Sequence, residues 1–79
     1  MNDAEWNRII ENVLNGVAPG NDNLQRLIAQ RLEDDGITPV LRKAALAGGK
    51  HEALTNVLTC LARTVASELR LKNHLASPW

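Results

Sequence analysis

The chain predicts an all-α fold, a small helical bundle in which three short helices pack on one long C-terminal helix. Three observations carry that reading. Apolar residues recur at helical spacing in four successive segments. Capping residues and Gly or Pro breakers fall between those segments. The 44% apolar content is nearly all aliphatic, with twelve leucines, no Phe, no Tyr, and only Trp6 and Trp79 as aromatics. No alternating run rich in β-branched or aromatic residues marks a strand. Seventy-nine residues allow one domain, spanning 1–79, because a chain this short buries only ~60% of its unfolded surface and has none to spare for a second core.

The first segment, NDAEWNRIIENVLNG, starts with Asn2 or Asp3 as cap and Glu5 in the dipole-favoured first turn. Trp6, Ile9, Ile10, Val13 and Leu14 follow the i, i+3, i+4, i+7, i+8 rule, and Asn15-Gly16 is expected to close the helix with a left-handed residue. Pro19 and Gly20 then make a turn. The second segment is expected to be capped by Asp22, with Gln25 three residues on; Leu24, Leu27, Ile28 and Leu32 form its stripe and Gly36 ends it. The third begins with Thr38 as cap and Pro39 at the first helical position, presents Val40, Leu41, Ala44 and Ala45, and stops at Gly48-Gly49.

From Lys50 to about Ala76 there is neither Gly nor Pro, so a fourth helix of some 25 residues would reach roughly 37 Å. A compact domain of this size has a diameter of only roughly 30 Å. The last helix is expected to outrun the body it packs on. Its apolar stripe runs through Leu54, Val57, Leu58, Leu61, Ala62, Val65 and Leu69 and then stops, with Lys72 and Asn73 where it should continue. Leu71 lies about 160° around the helix from Leu69, with Leu75 one turn further on. Glu68 and Lys72, four residues apart, are placed to pair along the vacated stripe.

Charge divides by halves. Through Gly36 seven acids stand against three bases, a net of −4, and from Ile37 onward six bases face two acids, a net of +4. Such halves attract within the fold or across a symmetric interface, where they weakly favour an antiparallel arrangement, and the basic half could equally meet an acidic partner.

No residue pattern calls for chemistry. HEALT at 51–55 begins like the zinc-binding pattern His-Glu-x-x-His, but Thr55 stands where the second histidine must chelate the metal. His74 is over six helical turns from His51 and cannot share a site with it in one chain. The lone Cys60 makes no internal disulfide, too few ligands accompany it for zinc, and its place in an apolar helix predicts simple packing. Glu33, Asp34 and Asp35 read as a solvated helix end. Gly48-Gly49 lacks the spacing of a phosphate loop. No catalytic residue, cofactor or metal is expected.

Two binding readings remain. A helix-turn-helix-like unit over 24–47, joined at Gly36, would carry Arg42 and Lys43 to a DNA major groove. Against it stand Asp34 and Asp35 beside the turn and a net charge of zero, since DNA binding draws its affinity from neutralised phosphates. The leading reading is protein association through Leu69, Leu71, Leu75 and Trp79, with a second copy and an unidentified target as partners. The competing account has the helix break near Asn73 and fold Leu71 and Leu75 back beside Trp79. An N-terminus without a basic start and apolar run, and the lack of ~18 consecutive apolar residues, predict a cytoplasmic chain that neither is secreted nor spans a membrane. Small, leucine-rich chains of this type serve as inhibitors, regulators and phage or mobile-element accessory proteins, and that analogy of type rests on no residue.

Overall fold

The computed structural model describes residues 1–76, with side chains through Lys72. Four helices follow one another: α1 (Asp3–Val17), α2 (Asp22–Asp34), α3 (Ile37–Leu46) and α4 (His51–Ala76). No strand occurs among the described residues. The protein is a small all-α bundle, elongated to 49 Å by 23 and 16 Å. α4 touches all three other helices and packs most extensively on α1, whereas α3 leans more on α2 than on α4.

Local chemistry explains the boundaries, with several shifts from those expected. Asn2 caps α1, its side chain accepting from the Glu5 N–H at 2.9 Å. α1 does not end at Asn15-Gly16 but runs to Val17, because Val17 packs against the core and Ala18 is buried within it. The left-handed residue that turns the chain is Gly20, at φ +70°. Asn21, not Asp22, caps α2 by accepting from Leu24 N–H at 3.0 Å. Gln25 leaves the cap altogether: its amide donates to Asn15 Oδ1 at 3.1 Å and to the Ala18 carbonyl at 2.9 Å, tying the start of α2 to the end of α1.

Gly36, at φ +76°, closes α2 and is itself the cap of α3. Thr38 and Pro39 therefore lie inside the first turn of α3, where a missing proline N–H leaves no bond unmade. Gly48 and Gly49 complete the exit from α3: the Gly49 N–H donates to Ala44 O at 2.9 Å and the Gly48 N–H to Ala45 O at 3.2 Å, with Gly48 at φ +106°. That pair of bonds is the Schellman closure.

The core gathers Trp6, Ile9 and Val13 of α1, Ile28 and Leu32 of α2, Ala45 of α3, and Leu54, Leu58, Ala62, Val65 and Ala66 of α4. Trp6 is only 1% exposed, and burying its large ring gives a chain otherwise built on aliphatics its largest single apolar contribution. No polar or charged side chain is buried among the described residues. Expected core positions fail on three helices. On α3 the row is Ile37, Leu41, Ala45, because Ile37 has joined the helix, and Val40 and Ala44 face outward. On α2, Leu27 is exposed, lying about 100° from Ile28. On α4 the buried face is turned toward Ala66, which leaves Val57 exposed on the opposite edge.

Candidate interaction surface

α4 stays helical past Asn73 to Ala76, so the break near Asn73 on which the competing account relied does not occur. Its 26 residues correspond to roughly 39 Å. Among the described side chains of α4, Leu69 is the last that packs against the core. Leu71, two residues on, is 60% exposed. The structure thus separates two residues expected at one interface, Leu69 turning inward and Leu71 outward. The side chain of Leu75 and all of Trp79, the other two expected there, lie outside the described residues.

The outward side of α4 carries more than Leu71. Val57 is 46% exposed, and Leu61 is half-buried. Thr64 and Glu68 are exposed between these leucines. At about 100° per residue, Val57, Leu61, Thr64, Glu68 and Leu71 fall within an arc of about 80°, roughly 110° round from the middle of the buried face. Cys60 flanks this arc and is exposed rather than packed. The signal for the row was its spacing, hidden because Val57 and Leu61 also fitted the wider core stripe.

Ion pairs rim the surface. Glu68 does not pair with Lys72; Arg31 of α2 reaches it at 2.7 Å while also holding Asp35 at 3.0 Å. The hydrogen bond to Asp35, its charge, and then Glu68 raise the Arg31 pKa above the ordinary guanidinium value, so this cation stays charged throughout the working range. All three side chains are more than a third exposed, so solvent screens each pair and leaves it a minor contribution to stability. Their effect is to fix α2 beside α4 at Glu68.

The residues of the DNA reading are placed differently. Both Arg42 donors, Nη2 at 2.6 Å and Nε at 3.1 Å, go to Asp3 Oδ1 of α1. The basic half of the chain thus meets the acidic half within the fold. Lys43 is exposed one residue on, and the acids Glu33, Asp34 and Asp35 are exposed at the end of α2. His51 is exposed at the start of α4. No group of three His, Cys, Asp or Glu converges among the described residues.

A cavity of about 130 Å³ lies between the helices, with Ile10, Leu14, Leu32 and Leu58 among its apolar walls and Glu33 and Thr38 as polar lining. It is well below the ~300–1,000 Å³ of small-molecule pockets, and holds nothing larger than a few waters or a small fragment. No helix among the described residues is long and apolar enough to cross a membrane. Compared with known protein families, curated proteins and solved structures, the chain matches none of them.

Proposed function

We propose that this chain acts by associating with other protein chains and carries out no catalysis of its own: a cytoplasmic homodimeric module that inhibits or regulates a cellular protein. One observation carries the reading. Among the described side chains of α4 none after Leu69 packs on the core, and the row the helix presents outward contains two exposed apolar groups, Val57 and Leu71. Scattered exposed apolar residues are ordinary on any surface. A row of them along one face of a long helix is the arrangement by which amphipathic helices recognise a partner.

Light scattering coupled to size exclusion at micromolar concentration tests the association. The expected mass is twice 8.7 kDa for the wild type and 8.7 kDa for Leu71→Lys, with unchanged helical circular dichroism. A wild-type chain that is monomeric throughout ends the homodimeric reading. Capture from the native host with the wild type and with Leu71→Lys then asks whether the target is held through the same row.

A further inference from the structure

The outward row of α4 is its own complement when reversed. Val57, Leu61, Thr64, Glu68 and Leu71 are separated by steps of four, three, four and three residues, the heptad seam that lets one helix lie along another. In sequence the next step of four reaches Leu75. Turned end for end about Ala66, the row superposes on itself: Leu61 exchanges with Leu71, and Thr64 with Glu68. Apolar positions meet apolar positions, and the one hydroxyl meets the one carboxylate.

We propose that the occupant of this face is a second copy of the chain, its α4 antiparallel, with the two-fold axis at the level of Ala66. The proposal rests on the association reading above and adds the register. In it, Leu61 of each copy packs on Leu71 of the other. The exposed Thr64 hydroxyl, which in the single chain donates to the Cys60 carbonyl at 3.1 Å, turns its proton to the Glu68 carboxylate of the other copy while Arg31 keeps its own bond to that carboxylate.

Charge selects the direction. Parallel pairing would set the two Glu68 carboxylates in one layer of the seam, where like charges repel, whereas antiparallel pairing gives each a neutral donor. The flank of the row facing away from the core carries Cys60 and Ser67, both exposed, and both small enough to let two helices approach to 8–10 Å. A two-fold axis makes such a contact isologous, so it closes at two copies.

Native Cys60 supplies a test that needs no change to the fold. Antiparallel pairing about Ala66 separates the two Cys60 positions by roughly 18 Å along the axis and about 20 Å overall. Parallel pairing brings them side by side. Spin labels on the wild-type Cys60, measured by pulsed dipolar spectroscopy, are expected to give one narrow distance near or a little above that separation. A second arm uses Leu61→Cys and Leu71→Cys chains, each with Cys60→Ser. Oxidised alone, each stays uncross-linked, because like positions lie roughly 15 Å apart; mixed, they form a covalent pair.

Cross-linking of either variant alone, or a short Cys60 distance, overturns the antiparallel register in favour of a parallel one. A dimeric mass with no cross-link in the mixture places the dimer on another face and overturns the proposal while leaving the association reading intact. A monomeric wild type overturns both.

Discussion

The two sides of α4 carry nearly the same residue types and do opposite things. Leu58 is 1% exposed and Val57, its neighbour, 46%; Leu69 faces the core and Leu71, two residues on, faces out. What separates them is not hydrophobicity but angle: the fully buried Ala62 and Ala66 mark the side of α4 that the bundle covers. The leucines and valine on the far edge are left over.

Breaking the inner side should have the largest effect. Leu58→Ala empties a fully buried position, and large-to-small changes of this kind cost ~2–5 kcal/mol. In a 79-residue chain whose whole stability is of the order of 5–10 kcal/mol, urea titration by circular dichroism should show a lowered midpoint or outright unfolding. Val57→Ala next to it should cost less than about 1 kcal/mol in the single chain. Equal costs would mean that α4 sits rotated from the arrangement described.

The next effect is at the turn that launches α4. A Cβ on Gly49 would stand 2.9 Å from the Ala44 carbonyl oxygen and 3.0 Å from a Leu54 methyl, so Gly49→Ala must shift backbone as well as a core side chain. Overpacking of this kind costs ~1–3 kcal/mol. The same titration reads it, and a neutral result would show that the loop yields freely.

On the outer side, Leu71→Lys should move single-chain stability by no more than about 0.5 kcal/mol while abolishing the concentration dependence of thermal unfolding that a dimer confers. That split between stability and association is the sharpest form of the comparison. Smallest of all is Asp3→Asn, which removes an exposed ion pair to Arg42 and should cost only about 0.2–0.5 kcal/mol, less still at high salt.

The sequence made the helix count and the excess length of α4 legible, because Gly20, Gly36 and Gly48 act locally and each does turn the chain. Asn2 was one of the two caps offered for α1, while the caps of α2 and α3 were read one and two residues off. Asn21 and Asp22 are both competent caps, and choosing between them depends on Gln25, which bonds to α1 and not to its own turn. The faces were harder. Val40, Leu27 and Val57 each fit a periodic stripe, and only the neighbouring helix decides which edge of a wide stripe is covered.

The exposure of Leu71 was legible because it lies opposite a finished stripe. The half-buried place of Leu61 was not, since a residue at the boundary of two faces reads as core. Glu68 was assigned to Lys72 by the four-residue rule, yet Arg31, 37 positions away in sequence, holds it. Spacing along one helix says nothing about a competitor brought in by another.

An interior without a single buried polar side chain among the described residues has a consequence for descent. Aliphatic cores accept many exchanges that conserve volume, so in a lineage carrying this fold Leu58, Ile28 or Val65 can wander among their equivalents at little cost. Gly36 and Gly48 cannot, since their positive φ excludes ordinary side chains. Diverged kin would be recognised by two glycines and a length of uninterrupted helix, with the leucines between them rewritten.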